Sequence, residues 1–285
     1  MILELENVSK RIGIFDLEKI SFGLPAGFVM GLVGPNGAGK TSLLNIILGL
    51  YKAQTGTVKI NGMSYEENER EIKELLGAVL VDELFEGEFS LLENGNFYGK
   101  YYKNYEERLL LQYIERFHLD AKKKYKAISK GEKLKFSFAF ALSHQPRLLI
   151  LDEPTANFDP SFRKEFFEVI KEFIADGTRS VILATHLTDD LDKVADYLLY
   201  LEDGKALVAT DIETFRQSYR MITGEAYKIR LLQDDVIHME QRELSTRALV
   251  RHHGYRRYEP ALTVTTPTIE EFMYYQTKRK KNKRK

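Results

Sequence analysis

A glycine-rich segment, GPNGAGKTS, lies at residues 34–42 and limits the folds that this chain can adopt. It follows an apolar run at residues 28–33 that is typical of a buried strand, and it leads into a segment of helical length at residues 41–50. The segment fits the pattern G-x-x-x-x-G-K-[ST]. Because a buried strand followed by a helix is the unit from which parallel sheets are built, this order favours an α/β fold.

The chemistry that this loop favours is phosphate binding. Glycines let the backbone wrap closely, so that successive N–H groups point at phosphate oxygens. The N-terminus of the following helix adds a partial positive charge. In this pattern Lys40 reaches the β- and γ-phosphates, and the hydroxyl of Thr41 contacts Mg²⁺. The predicted nucleotide-binding residues are therefore Gly34, Pro35, Asn36, Gly37, Ala38, Gly39, Lys40, Thr41 and Ser42.

A second segment, LLILDEPTANFDP at residues 148–160, ends an apolar run with two adjacent acids, Asp152 and Glu153. Adjacent carboxylates at the end of a buried strand repel each other unless something compensates their charge. In proteins with this type of phosphate-binding loop, such a strand ends in an acid that holds Mg²⁺, and Asp152 suits that role. Glu153 would then face the γ-phosphate and orient or deprotonate the attacking water.

The rest of the chain alternates between the two kinds of element. Short strands are predicted at residues 2–5, 20–24, 57–60, 148–151, 181–184 and 197–201, and helices at 65–76, 162–175 and over most of 90–145. This alternation predicts a parallel sheet covered on both faces. Further along, strands are predicted at residues 227–231 and 261–265. A helix is predicted to begin within 266–272, with Thr268 and Glu271 at capping-box spacing.

Composition excludes several classes of protein. The chain of 285 residues has no cysteine, which excludes a disulfide framework and a thiolate metal site and fits a reducing cytoplasm. The N-terminus lacks the long apolar core of a secretory signal. The longest uncharged stretch, residues 20–39, contains six glycines and two prolines, so we expect strand, turn and loop there and no membrane span.

The basic residues are concentrated at the end of the chain. Residues 278–285, KRKKNKRK, hold seven of the 42 basic residues, which leaves 35 basic against 42 acidic residues elsewhere, a formal charge of about −7. A solvated, disordered tail is one reading. Attraction to an anionic membrane surface is another, at about 1 kcal/mol for each basic residue near the headgroups. Nucleic acid is not expected, because no basic stripe with aromatics accompanies the tail.

Four motifs in order, GPNGAGKT, SKGE, LLILDEPTANFDP and ATH, resemble the nucleotide-binding subunit of an ATP-binding-cassette (ABC) transporter over roughly residues 1–215. The resemblance implies a P-loop NTPase fold of the α/β class. It has a mixed or parallel sheet core, an N-terminal antiparallel β-subdomain, an inserted helical subdomain at about 82–145 and a small C-terminal extension. We therefore expect an ATPase domain at 1–220, an α+β extension at 221–277 and a basic, disordered tail at 278–285.

The resemblance also implies ATP and Mg²⁺ as ligands, with Thr41 and Asp152 at the metal and Glu153 and His186 as catalytic residues. His186 matches the switch histidine, which contacts the γ-phosphate and supports Glu153. Ser129 and Gly131 match the signature that contacts nucleotide held by a second cassette. Asp159 matches the loop that crosses the dimer interface.

The function that the resemblance implies is an ATPase subunit at the cytoplasmic face of the cell membrane, paired with a separate transmembrane permease. A second cassette, either a copy or a related paralogue, completes the site. Export of peptide- or drug-like substrates is favoured by likeness to stand-alone exporter cassettes. The alternatives are a soluble ABC ATPase without a transport role, and a degenerate regulatory cassette that binds ATP with little turnover.

Three positions depart from the family pattern. Ile12 stands where an aromatic side chain normally stacks on adenine, unless Phe15 substitutes for it. Val81 stands near the expected position of a glutamine that reaches the metal and the water, an oxygen that Asp82 or Glu83 could supply instead. Lys130 replaces a glycine of the signature, where it either adds charge beside the partner's phosphate or faces solvent.

Overall fold

The computed structural model describes residues 1–80, 84–155, 157–241, 243, 245–254 and 257–283. Its strands, numbered in chain order, are β1 (Leu3–Ile12), β2 (Phe15–Leu24), β3 (Val29–Val33), β4 (Thr55–Ile60), β5 (Met63–Ser64), β6 (Leu76–Val79), β7 (Leu148–Asp152), β8 (Ser180–Ala184), β9 (Tyr197–Glu202), β10 (Lys205–Asp211), β11 (Tyr219–Gly224), β12 (Val236–Gln241), β13 (Thr246–Arg251) and β14 (Thr263–Thr265). Its helices are α1 (Lys40–Ile47), α2 (Tyr65–Leu75), α3 (Leu91–Gly99), α4 (Glu107–Arg116), α5 (Lys130–Ser143), α6 (Pro160–Ile174), α7 (Thr188–Val194), α8 (Ile212–Ser218), α9 (Ala226–Arg230) and α10 (Ile269–Lys283).

The central sheet has the strand order β10-β9-β3-β8-β7-β6 in the described part of the chain. The strands from β9 to β6 run parallel, and β10 pairs antiparallel with β9. Every residue of β3, β7 and β8 is buried, because the sheet is covered on both faces. The predicted parallel core is confirmed. Since β8 lies between β3 and β7, which run parallel to it, the glycine loop after β3 and the two acids at the end of β7 lie at the same carboxyl edge of the sheet.

The two faces of the central sheet pack into separate cores. Along β7, Leu149 and Leu151 belong to a core shared with the helical segment, while Leu148 and Ile150 belong to a core shared with the N-terminal strands and α1. The N-terminal strands form an antiparallel sheet in the order β2-β1-β4-β5. The predicted N-terminal antiparallel β-subdomain is therefore confirmed.

Between β6 and β7 the chain is mainly helical, as predicted, with an aromatic core. The ring of Phe85 lies 4.8 Å from that of Phe136, centroid to centroid, and touches further rings around it. In the tyrosine-rich stretch at 89–102, Tyr98 and Tyr102 pack against this core. Tyr101, by contrast, is 67% exposed. The aromatic residues of this stretch therefore divide between core and surface.

The C-terminal strands form a third, antiparallel sheet in the order β12-β13-β11-β14. The strand predicted at residues 227–231 is wrong, because α9 occupies that position. Its alternating apolar residues do not line a buried face, since Tyr227 and Leu231 are exposed and Ile229 is buried. An ion pair of 3.0 Å between Lys228 and Glu225, three residues apart, suits a helical turn.

The predicted capping box at the start of α10 is confirmed. The Glu271 N–H donates to Thr268 Oγ1, and the Thr268 N–H donates to Glu271 Oε2, both at 3.1 Å. From this start the helix continues to Lys283. The helix thus includes residues 278–283, since lysine and arginine are good helix formers and no glycine or proline interrupts them. Disorder of the tail stays a prediction. Residues 284–285 lie outside the described residues.

The proposed boundary between an ATPase domain and an extension stays a prediction, although the third sheet draws all its strands from residues 219–265. Across the ranges that the structure describes, no helix has both the length and the apolar character that crossing a bilayer requires.

Candidate nucleotide-binding site

The glycine loop joins the end of β3 to the start of α1, and its path requires glycine at two positions. Gly34 has a φ of 155°, and a Cβ there would lie 2.2 Å from the carbonyl oxygen of Leu201. Gly39 has a φ of 104°, and a Cβ there would lie 2.8 Å from side-chain carbons of Phe15 and Leu17. The loop is therefore held closely between β9 and β2.

Lys40, the first residue of α1, lies buried behind this loop. Its Nζ donates to the carbonyl of Gly34 at 2.8 Å and to that of Pro35 at 3.5 Å, and 8% of the residue is exposed. Burial lowers the pKa of Lys40, and the negative charges of Glu153 and Asp152 oppose this shift. The ammonium group is thus poised near both acids, held by carbonyls that a phosphate could replace.

Thr41 and Asp152 are in direct contact at the carboxyl end of β7. Thr41 Oγ1 donates to Asp152 Oδ2 at 2.9 Å, and Asp152 is 3% exposed. A hydroxyl and a buried carboxylate side by side are the oxygen ligands that Mg²⁺ prefers. A divalent cation would also compensate the buried charge of the carboxylate. These residues therefore fit a magnesium ion.

Glu153 has an unusual backbone conformation, with a φ of 48° that a side-chain-bearing residue seldom adopts. Its N–H donates to the carbonyl of Ala184 at 2.8 Å, which fixes this turn against β8. Its Oε2 accepts from the backbone N–H of His186 at 3.2 Å and lies 2.7 Å from His186 Nδ1. The structure thus brings together Glu153 and His186, two residues 33 positions apart. Two contacts from His186 fix the orientation of the Glu153 carboxylate.

The loop and the acids share one cavity of about 550 Å³. Its lining consists of Ile12, Phe15, residues 36–42, Asp152 and Glu153. Of the predicted loop residues, Gly34 and Pro35 do not line the cavity, and they contribute through their carbonyls to Lys40. The cavity combines backbone N–H groups and a lysine, which can bind phosphate oxygens, with two carboxylates, one of which can bind a divalent cation. These are the groups that a triphosphate with its metal ion requires.

The predicted signature and interface residues lie outside this cavity and next to each other. Ser129 caps α5, and its Oγ accepts from the Glu132 N–H at 3.2 Å. A Cβ on Gly131 would lie 2.8 Å from the carbonyl oxygen of Asn157. Asp159 caps α6, accepting from the Phe162 N–H at 2.9 Å. The start of α5 therefore packs directly against the segment that leads into α6.

Comparison with known proteins identifies the family. A family profile described as ABC transporter matches residues 17–156. The ABC transporter ATP-binding protein YdbJ of Bacillus subtilis (strain 168) is 34% identical over 207 residues, which cover 72% of this chain and 67% of that protein. A tungstate uptake system ATP-binding protein of Peptoclostridium acidaminophilum is 34% identical over 215 residues, covering 72% of this chain and 96% of that protein. This chain belongs to the ATP-binding subunits of ABC transporters.

Members of this family are ATPases, and the fold agrees with those of other cassettes. A solved ATP-binding subunit of an ABC transporter superposes with a TM-score of 0.72 at 25% identity, over 76% of this chain and 92% of that one. A dimeric cassette bound to ADP and Pi shares the fold, with a TM-score of 0.66 at 22% identity, over 74% of this chain and 98% of that one. A Nod factor export ATP-binding protein of Neorhizobium galegae is 32% identical over 196 residues, which span 67% of this chain and 56% of that protein.

Of the three positions that depart from the ABC pattern, one lies in the cavity, one at the start of α5 and one outside the described residues. Ile12 lines the cavity, and so does Phe15, whose ring lies against the glycine loop. Both are half-buried, so a base in this cavity would meet an aliphatic side chain and an aromatic one. Lys130 is exposed at the first position of α5. Val81, with Asp82 and Glu83 beside it, lies outside the described residues.

Sequence reasoning missed two side chains near the signature. Glu132 completes a capping box with Ser129, accepting from the Ser129 N–H at 2.8 Å, and the spacing S-x-x-E could have revealed it. Lys135 is 15% exposed, with its Nζ 3.7 Å from Asp159 Oδ2 and 4.1 Å from the ring centroid of Phe162. No sequence signal predicts this second pair, because it joins two separate helices.

Proposed function

We propose that this cassette binds Mg-ATP in the cavity between the glycine loop and the two acids, and that hydrolysis there energises a membrane transporter. The observation that carries the proposal is the lining of one cavity by residues 36–42, Asp152 and Glu153 together. The cavity has donors for the phosphates and carboxylates for the metal and the water.

The side chains that would bind Mg-ATP are hydrogen-bonded within the protein when no nucleotide is bound. Lys40 exchanges its bonds to backbone carbonyls for bonds to the β- and γ-phosphates, and the loop N–H groups contact the remaining oxygens. Thr41 and Asp152 would hold Mg²⁺, which would neutralise charge on the phosphate oxygens.

Hydrolysis relies on Glu153 and His186. Glu153 accepts a proton from the water that attacks the γ-phosphorus, while the bond to the leaving oxygen of ADP breaks. His186 holds the carboxylate of Glu153 through its backbone N–H and its ring. The His186 side chain is 56% exposed, and we infer that its imidazole also contacts the γ-phosphate when nucleotide is bound.

A second cassette completes the site. Ser129, Gly131 and Asp159 do not line the cavity of their own chain, although all three are described. We infer that these residues contact nucleotide held by another cassette, which is a copy of this chain or a related paralogue. The fold shared with a dimeric cassette bound to ADP and Pi is compatible with this arrangement.

The other partner is a separate transmembrane permease, which places the chain at the cytoplasmic face of the membrane. A groove of about 810 Å³ between α2 and the helical segment offers a docking surface lined by Leu50, Leu84, Tyr98, Tyr101 and other apolar residues.

Relatives named for export and for uptake both match this chain. We favour export of peptide- or drug-like substrates, on likeness to stand-alone exporter cassettes.

A second candidate function is a regulatory cassette that binds ATP with little turnover. The observation that favours it is Ile12 on the cavity wall, where stacking on the base is lost unless Phe15 supplies it. A soluble ABC ATPase without a transport role lacks a comparable supporting observation.

Turnover of Mg-ATP by the purified chain tests the proposal. We expect Glu153→Gln to lower turnover by about 100-fold or more, the scale of general-base catalysis, while ATP binding persists. We also expect this variant to elute as an ATP-bound dimer in sizing chromatography. Glu168→Gln, which removes an exposed carboxylate from α6, is the matched control and should leave turnover unchanged. Undiminished turnover in Glu153→Gln would contradict its catalytic role. A parent chain without turnover would favour the regulatory cassette.

A further inference from the structure

Helix α7, which begins two residues after His186, packs on the C-terminal helix α10 and is hydrogen-bonded to it by the side chain of Asp192. Both carboxylate oxygens of Asp192 accept from the backbone N–H of Ile269, the first residue of α10, at 3.3 and 3.4 Å. The carbonyl of Asp192 accepts from Arg216 Nη2, in α8, at 3.2 Å. A single residue of α7 thus joins two helices that follow it in the chain.

The opposite side of α7 packs on the strand that leads to the glycine loop. Leu191 is fully buried, and its methyl carbons lie 3.2 Å from the position that a Cβ on Gly31, in β3, would occupy. The turn before α7 is closed by Thr185 Oγ1, which accepts from the Leu187 N–H at 3.0 Å. Because this turn contains His186, a displacement of α7 moves the histidine relative to β8.

Helix α10 provides a fixed reference for α7. The ring of Phe272, which is fully buried, lies 5.3 Å from that of Tyr200 in the central sheet and 4.8 Å from that of Tyr219 in the third sheet. Arg247, in β13, pairs with Glu271 at 2.7 Å. The start of α10 is therefore anchored to the ATPase core and to the C-terminal sheet together.

The environment of Asp192 indicates a specific contact rather than a solvated surface acid. Burial raises the pKa of Asp192, and the Ile269 N–H and the Arg216 guanidinium oppose this shift, while Asp189 and Glu271 add to it. The carboxylate also lies at the N-terminus of a helix of 15 residues, where the helix dipole favours negative charge.

We propose that Asp192 is a positioning residue for ATP hydrolysis, through which the C-terminal extension holds α7 and so sets the place of His186 against Glu153. This inference rests on the proposed function, in which His186 and Glu153 act on the γ-phosphate. It gives the extension a role in the reaction, whereas simple packing would contribute to stability alone.

The test compares Asp192→Ala with Asp192→Asn in the full chain, with rates normalised to titrated ATP-binding sites. We expect Asp192→Ala to lower kcat about three- to tenfold, the scale of coupling between linked sites, with KM for ATP unchanged. Asp192→Asn keeps an oxygen acceptor for the Ile269 N–H and should retain most of the parental kcat. Ser90→Ala removes a comparable helix cap from α3 and should leave kcat unchanged.

A double-mutant cycle with His186→Ala separates positioning from general loosening. If Asp192 acts through His186, then Asp192→Ala causes no further loss of residual turnover in the His186→Ala background. An equal loss in both backgrounds, or a parental kcat in Asp192→Ala with a lowered Tm alone, would overturn the inference. Failure of the proposed function has a different readout, because Glu153→Gln would then hydrolyse ATP at the parental rate.

Discussion

Lys40→Ala is the substitution that most sharply perturbs the nucleotide cavity. The lysine Nζ is held by the carbonyl of Gly34 at 2.8 Å, within a residue that is 8% exposed. It faces the charges of Glu153 and Asp152, which oppose the lowering of its pKa by burial. Removing the ammonium leaves those two acids to repel the incoming triphosphate.

The magnitude follows from the bonds that Lys40 exchanges. A hydrogen bond to a charged group contributes about 1.5–3 kcal/mol, and we expect about two such bonds to phosphate oxygens. Giving up the bond to the Gly34 carbonyl, about 1 kcal/mol, offsets part of this gain, which leaves about 2–5 kcal/mol of binding energy. The Kd for Mg-ATP should therefore rise about 30- to 5,000-fold. Without nucleotide, the lost bond costs about 1 kcal/mol, so Tm should fall by a few degrees.

Isothermal titration calorimetry with Mg-ATP measures the Kd, and circular dichroism during heating measures Tm. Lys205→Ala is the matched control, because it removes an exposed lysine of β10 that pairs with Glu18 at 3.1 Å, outside the cavity. We expect the control to bind as the parent does. Parental affinity in Lys40→Ala, with the fold intact, would refute the assignment of the loop to phosphate binding.

Three further predictions concern stability and the membrane. Burial lowers the pKa of His144 to about 4 from 6.5, so the unfolded chain binds the proton first as pH falls. The free energy of unfolding should therefore decrease by up to about 3 kcal/mol between pH 6.5 and 4. Denaturant titrations of His144→Phe, which preserves stacking on Tyr102, should lack this contribution, and an unchanged pH dependence would contradict it. Phe272→Ala should lower the free energy of unfolding by about 3–5 kcal/mol in the same titrations, whereas a loss below about 1 kcal/mol would show that α10 is not anchored by this ring. Deleting residues 278–285 should weaken binding to anionic vesicles at low salt. If the full chain and the shortened chain sediment equally with the vesicles, these residues do not bind the membrane surface.

The parts of the fold that sequence predicts are those whose cause is local. The runs that become β3, β7 and β8 are continuously aliphatic and short, which suits strands buried on both faces. The capping box of α10 depends on Thr268 and Glu271, three residues apart. The glycine loop is recognisable from its spacing of glycines before a lysine and a threonine. In the structure, Gly34 is required by the nearby Leu201 carbonyl, and Gly39 by the side chains of Phe15 and Leu17.

The parts that sequence does not predict depend on partners far along the chain. Residues 227–231 alternate as a strand would, but no neighbouring strand pairs with them in the described structure, and α9 forms there. Strands β12 and β13 contain charged and amide residues and alternate weakly, so their pairing with each other and with β11 decides their structure. At the site, the contact of Glu153 with His186 requires a left-handed turn that no local pattern indicates.

The most direct measurement is the position of the γ-phosphate in a crystal structure of Glu153→Gln with Mg-ATP. We expect the triphosphate to lie along residues 34–42, with its γ-phosphate between Lys40 and residue 153 and Mg²⁺ at Thr41 and Asp152. A triphosphate bound elsewhere, while these side chains keep the contacts described above, would contradict the proposed site.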